Sequence, residues 1–248
     1  MLTIDTEEVL EEYKKNLHQR YGNITPKLII LLGNSAWALM NKEIEKDWKG
    51  VPVLLCSEKD YIGNPSTYLT KELIPVSDRK TLKDYQGNIH LTVFDAHFYI
   101  KETIELMTTI TPQMSKLIFL SDKRCISAQC RDEVDSIIAS SHPNIQVEHL
   151  IAGDIANDKL ISYLKTLDSN TLVLYLSWFK TKYQQGNAIL TSSLSRLLGS
   201  YSKSPVFTLN RDAIATNGLV GGCFWEENVI KSKFLQTCLL YTSPSPRD

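Results

Sequence analysis

Residues 27–37 read K-L-I-I-L-L-G-N-S-A-W. The apolar run 28–32 passes through Gly33-Asn34-Ser35 straight into a helical pattern, Ala36-Trp37-Ala38-Leu39-Met40. An unbroken apolar run suits a parallel strand buried on both faces, and a glycine turn with a polar N-cap, here assigned to Ser35, is how such a strand hands over to a helix. Ligands of open α/β sheets lie beyond the carboxyl ends of the strands, so this corner is the first place to look for function.

The same alternation runs outward from it. Upstream, Val9, Leu10, Tyr13, Leu17 and Tyr21 fall at helical spacing over residues 5–21, behind an acidic first turn that suits the helix dipole. Downstream, the spacing predicts a helix over 35–46 and a strand over 51–55 leading to Ser57. Residues 63–83 read as loop with one short strand, and a strand over 89–94 leads to Asp95. The pattern then restarts: helix 101–110, strand 116–120 before Asp122, helix 128–140, strand 145–150 and helix 157–167. A strand over 171–176 precedes Ser177-Trp178-Phe179. Gly186-Asn187 then precede a helix to Leu198, a strand over 205–209 ends before Asn210, and a short Gly-rich stretch over 218–223 comes before one more helix start at 226–234. Seven or more strands alternating with helices define a parallel α/β fold, and the restart near Lys101 divides it into two units.

With 248 residues, 43% hydrophobic and 22% charged, the composition is that of a folded protein. A formal net charge of −1 gives no electrostatic basis for binding nucleic acid or an anionic membrane. No apolar run nears the ~18 residues of a membrane span, and the acidic start M-L-T-I-D-T-E-E-V lacks the cationic region of a signal peptide. The five cysteines, at 56, 125, 130, 223 and 238, form no C-x-x-C, and Cys125 and Cys130 meet only if the local backbone permits. From Cys238 the sequence C-L-L-Y-T-S-P-S-P-R-D breaks with the preceding pattern, so 238–248 is expected to be a non-native tail on a truncated chain.

Catalytic readings find little support. Gly33-Asn34-Ser35-Ala36-Trp37 imitates a nucleophile elbow, which would make the chain an α/β hydrolase with Ser35 as nucleophile. The elbow needs a small residue where Trp37 stands, and no Asp/Glu-then-His pair follows convincingly. There is no phosphate-binding loop, and Gly218-Leu219-Val220-Gly221-Gly222 is not a dinucleotide fingerprint. Asp95 and Asp122 each close an apolar strand, as in phospho-acceptor receivers, but the acidic pair expected after the first strand is replaced by Gly33, Asn34 and Ser35. The histidines at 18, 90, 97, 142 and 149 include no i, i+4 pair, so no metal and no cofactor is expected. His97 beside Asp95 is the histidine to watch. What remains is a rim of small polar groups at strand ends, Asn34, Ser35, Ser57, Asp95, Asp122, Ser177 and Asn210, with Trp178 as a flat stacking wall. Such a rim suits binding a small polar molecule.

Five stretches in this order resemble a known family: T-P-K-L-I-I-L-L-G-N-S-A-W, G-V-P-V-L-L-C-S, E-T-I-E-L-M-T-T-I-T-P-Q-M-S-K-L-I-F-L-S-D, T-L-V-L-Y-L-S-W-F, and S-P-V-F-T-L-N with G-L-V-G-G after it. Over roughly residues 24–225 the chain resembles the substrate-binding-protein-like sensor domains of bacterial two-component histidine kinases, within the type I periplasmic binding fold. The resemblance implies two Rossmann-like lobes with parallel sheets that close on a ligand. Lobe 1 would be 1–100, lobe 2 101–209, and 210–237 a return to a lobe 1 that stays incomplete. It also implies an extracytoplasmic, membrane-tethered position, a kinase module in the same polypeptide and no catalysis by this chain; a homodimer is compatible. Solute-binding subunits of ABC importers share the fold, with an ABC permease as partner. The S-W-F corner and the passage from Asp95 to Ile104 look more like the sensor branch. A structural module that has lost its ligand is the third class; it would fill the cleft with side chains such as Trp178.

Overall fold

A computed structural model of the protein describes residues 4–84, 86–179, 191–214 and 218–225. Among these the chain forms two compact units, one ending at His97 and including Trp225, the other spanning Phe98–Phe224.

The first unit opens with helix α1 (Glu7–Tyr21), capped by the Thr6 hydroxyl, which accepts a hydrogen bond from the Val9 amide at 3.3 Å. Strand β1 (Ile29–Leu32), helix α2 (Asn34–Asp47), strand β2 (Val53–Ser57) and strand β5 (Leu91–Asp95) build a parallel sheet of order β1-β2-β5. Its register sets Ile29 opposite Val53 and Ser57 opposite Asp95, so the carboxyl ends of β2 and β5 lie side by side. Trp37 on α2 is fully buried, which is why so large a residue stands there. Between β2 and β5 the expected loop contains more order: an antiparallel pair, β3 (Tyr61–Ile62) and β4 (Lys80–Thr81), and helix α3 (Pro65–Thr70). Six residues are too few to show a helical period. Pro65 opens α3, where its missing N–H costs nothing, and Lys71 in the left-handed region (φ 62°) ends it.

The second unit holds helix α4 (Ile100–Ile110), strand β6 (Lys116–Ser121), helix α5 (Cys125–Ser141), strand β7 (Gln146–Ile151), helix α6 (Asn157–Leu164), strand β8 (Thr171–Tyr175), helix α7 (Thr191–Tyr201) and strand β9 (Val206–Thr208). The parallel sheet has the order β7-β6-β8-β9. Every residue of β8 is buried, as the continuous apolar run Thr171–Tyr175 requires of a central strand. Alternate strand residues feed two cores. Phe119, Leu172, Leu174 and Phe207 pack with Ile104 and Met107 of α4 and Val134 of α5; Ile118, Leu120, Val173 and Tyr175 pack with Leu160 and Leu164 of α6 and Leu194 and Leu198 of α7. Helices on both faces make this unit doubly wound.

Residues 210–214 and 218–224 belong to this second unit, whereas the sequence reading has the chain returning to the first lobe at 210. The backbone explains the difference. Val220 N donates to Val206 O at 2.9 Å and Thr208 N to Gly221 O at 2.8 Å, which ties the Gly-rich segment to the edge of β9. Leu219 is buried in the adjoining core. The helix beginning at Gly186-Asn187, the 226–234 helix start and the 238–248 tail fall outside the described residues, apart from α7 itself. Cys125 and Cys130 both lie on α5 and remain thiols.

Candidate ligand-binding site

The strand-end residues singled out in the sequence fall into one group on each unit. On the first, α2 has Gly33 at its N-cap, with φ 92° and ψ 152°, a conformation open in practice only to glycine. A Cβ there would stand 2.6 Å from Glu58 Oε1. Glu58 comes this close because its Oε2 accepts the Asn34 amide at 2.9 Å, so a carboxylate from the end of β2 does the capping. This corrects the assignment of Ser35: it is exposed, sits in the first turn of α2, and its hydroxyl makes no hydrogen bond among the described residues. A serine nucleophile needs a hydrogen-bonded base, which this geometry does not supply.

Asn34 is buried, and its carboxamide is fully used. Nδ2 donates to Lys59 O at 2.8 Å and to Tyr61 O at 2.7 Å; Oδ1 accepts from Ser57 Oγ at 2.7 Å and from Glu58 N at 3.1 Å. Two donors and two lone pairs are all an Asn side chain has. Ser57 is likewise buried, its hydroxyl directed to Asn34 Oδ1 and to Lys59 O at 2.5 Å. These two residues fasten the turn after β2. Asp95 is exposed, with Oδ1 accepting the His97 amide at 3.1 Å and lying 2.8 Å from His97 Nδ1. The His97 ring meets Trp225 edge-on at 5.8 Å.

On the second unit, Asp122 follows β6 directly and is 0% exposed. Its Oδ1 accepts from Arg124 N at 3.0 Å and Ser127 Oγ at 2.7 Å, and Arg124 Nε donates to both oxygens at 3.0 and 2.9 Å. Burial by itself pushes this carboxyl upward; the Arg124 guanidinium and these hydrogen bonds outweigh it and hold Asp122 below the usual carboxylate range. Arg131, from the second turn of α5, donates Nη1 to Ser121 Oγ at 2.9 Å and to Asp122 O at 2.8 Å.

The S-W-F corner after β8 meets this cluster through Phe179, whose amide lies 3.4 Å from Asp122 Oδ2 and whose ring carries the Arg124 guanidinium 4.5 Å above its centroid. Trp178 is not the wall expected of it. It is buried in the core beside α6, and its Nε1 donates to Asn157 Oδ1 at 3.0 Å, so the exposed aromatic of the corner is Phe179. Ser177 is 5% exposed, and its hydroxyl, like that of the fully buried Tyr175, has no hydrogen-bond partner among the described residues. Burial, reinforced by the Asp122 charge, raises the Tyr175 phenol well above its ordinary range. Asn210 is exposed two residues beyond β9, its amide donating to Thr208 Oγ1 at 3.0 Å.

Three contributors escaped the sequence reading: Glu58, Arg124 and Arg131. The D-K-R run after β6 is a visible signal for Arg124; a lone arginine two turns into a helix gives none. Among the described residues no group of three or more His, Cys, Asp or Glu is placed to hold a metal ion, and no helix is long and apolar enough to cross a membrane.

No protein-family model and no curated protein sequence matches the chain. Solved structures do. An ABC domain in complex with L-Trp from Streptococcus pneumonia overlaps with a TM-score of 0.52 at 14% identity, over 95% of this chain and 72% of that one. A conserved domain protein from Vibrio cholerae overlaps with a TM-score of 0.58 at 10% identity, over 95% and 70%. An extracellular ligand-binding receptor from Verminephrobacter eiseniae reaches a TM-score of only 0.42 at 14% identity, over 82% and 49%, too little to argue from. The class is therefore one of architecture: an α/β protein with parallel sheets and the periplasmic-binding-protein-like fold. At these identities the likeness defines the fold and leaves the activity to the site.

Proposed function

We propose that the chain is an extracytoplasmic ligand-binding sensor domain that closes on a small polar molecule and signals to a histidine kinase module in the same polypeptide. One observation carries the binding part of this reading. At the carboxyl end of the second sheet, a fully buried carboxylate, Asp122, is used to hold a half-exposed arginine against an exposed aromatic ring. Folding a charge into the interior is costly, and here the result is a positioned donor group where α/β sheets bind their ligands. Neither corner pairs a nucleophile with a base, which favours holding a molecule over transforming it. The ABC domain of like fold that holds L-Trp is in keeping with this.

The same neighbour supports a second reading, in which the chain is the solute-binding subunit of an ABC importer and its partner is a permease. Ligand binding closes the protein only by favouring the closed form, and a near-complete switch needs about 5.5 kcal/mol of preference. Thermal shift and small-angle scattering against amino acids, sugars and nucleosides test binding and closure together. A ligand at a hundred times its Kd stabilises by about 2.7 kcal/mol, visible as a rise in Tm, with a fall in the radius of gyration. No stabilisation and no compaction with any compound would remove the binding reading. Sequencing the gene on both sides separates sensor from importer: a kinase core downstream supports the first, a free-standing gene beside a permease the second.

A further inference from the structure

Arg124 divides its hydrogen-bonding capacity between the protein and the outside. Its Nε–H is taken by both oxygens of Asp122. The four N–H groups of Nη1 and Nη2 make no hydrogen bond among the described residues, and the side chain is 43% exposed. One face of the guanidinium lies on the Phe179 ring, itself 46% exposed, which keeps water from that face and holds the cation in place through a cation–π contact. Asp122 cannot turn away, because it is wholly buried and also held by Ser127. The rotamer cost of fixing a long arginine is thus met on folding, before any ligand arrives.

The outer edge of such a guanidinium is a planar fork of parallel N–H groups, matched to two oxygens of one carboxylate. The charges around it favour a single negative charge. Lys123 is paired with Asp154, and Arg131 is committed to Ser121 Oγ and Asp122 O, so neither of these described cations stands ready beside Arg124 for a dianion. Tyr175 and Ser177 add two buried hydroxyls without partners at the same strand end, and Tyr175 is near enough to Asp122 and Arg124 to feel both charges.

We propose that the Nη edge of Arg124, backed by Phe179, receives the carboxylate of the ligand, so that the molecule bound is a small organic monocarboxylate with an apolar portion for the exposed part of the ring. This rests on the ligand-binding reading and narrows it from small polar molecules in general to this class.

The experiment is isothermal titration of the full chain with matched acid and amide pairs: L-tryptophan and L-tryptophanamide, L-leucine and L-leucinamide, benzoate and benzamide, with glucose and adenosine as neutral probes. The expected result is a carboxylate that binds at least about tenfold more tightly than its amide. Arg124→Lys keeps the charge beside Asp122 but loses the fork, and should weaken that acid about tenfold while changing the binding of its amide little. If Arg124→Lys itself lowers Tm, the double variant Asp122→Asn/Arg124→Gln removes both charges together and should abolish the preference for acid over amide. Equal binding of acid and amide, or an acid indifferent to both variants, overturns the carboxylate assignment while leaving the protein a binder. A neutral probe that binds while every acid fails does the same. Silence from every probe counts against the binding reading, and this assignment falls with it.

Discussion

The corner after β1 and the corner after β6 occupy equivalent places, each where a parallel strand gives way to a helix, yet they are held by opposite chemistry. In the first, a neutral amide, Asn34, satisfies Ser57, Glu58, Lys59 and Tyr61 and is itself saturated. In the second, a buried carboxylate is satisfied by a longer side chain that reaches it with one nitrogen and leaves its far edge to solvent. The comparison teaches that a polar residue at a strand end is informative about ligands only through the capacity it has left. Asn34 has none. Arg124 has most of its donors.

The largest expected effect breaks the second corner. Asp122→Ala removes the acceptor for Arg124 and Ser127 from a fully buried position, and should cost about 3–5 kcal/mol in urea denaturation; a loss under about 1 kcal/mol would show that the pair holds little. Next comes Asn34→Asp, which keeps the shape but withdraws both donors from Lys59 O and Tyr61 O and sets a second carboxylate beside Glu58. About 2–4 kcal/mol is expected by the same measurement. If it were tolerated freely, the first corner would not be the closed network described here.

Gly33→Ala should cost about 1–3 kcal/mol, since φ 92° is foreign to alanine and its Cβ would meet Glu58. Adding Glu58→Ala would relieve the clash but leave the backbone strain and remove the carboxylate that caps Asn34 N, so the double variant should recover little of the loss. pH sharpens the contrast further. Asp122 is held below its ordinary value, so its stabilisation is present above the unfolded pKa of about 3.9 and is lost as pH falls through the lower folded value. Tyr175 is raised, so the folded form keeps a proton that the unfolded chain sheds, and stability falls as pH rises above about 10. Tyr175→Phe should flatten that alkaline slope in a Tm series. At pH 7 it should be neutral or stabilising by up to about 1 kcal/mol, because the hydroxyl it removes is buried without a partner. Smallest of all is Ser35→Ala, expected within about 0.5 kcal/mol; a loss of about 1 kcal/mol or more would restore its role as the cap.

The strands were legible because their sequences leave little choice. Residues 28–32 and 171–176 are apolar almost without interruption and both form parallel strands, but only β8 is buried as such a run leads one to expect; β1 lies at the edge of its sheet among the described residues, with Ile30 and Leu32 exposed. Helices longer than two turns, such as α1, α4 and α5, carry their own period. Helix α3 did not, because six residues cover less than two turns. The boundary of the second unit was misplaced for a different reason: Gly218-Leu219-Val220-Gly221 pairs through backbone groups with β9, and glycine leaves no side-chain pattern to announce the partner. At the proposed site, the place of Asp122 directly after β6 is what makes it visible in the sequence. Arg124 was passed over because a lysine and an arginine after an aspartate look like any solvated loop.

The sequence by itself determined the alternation of strand and helix, and with it the carboxyl-terminal ends where polar residues gather, because hydrophobic periodicity is local. Only the tertiary structure decided which of those residues remain available. Asn34 is spent on residues 23–27 positions away, Trp178 is turned into the core toward Asn157, and Phe179 is brought to Arg124 from 55 positions down the chain. Hydrogen-bond capacity and exposure are settled by neighbours in space, and no reading along the chain counts those neighbours in advance.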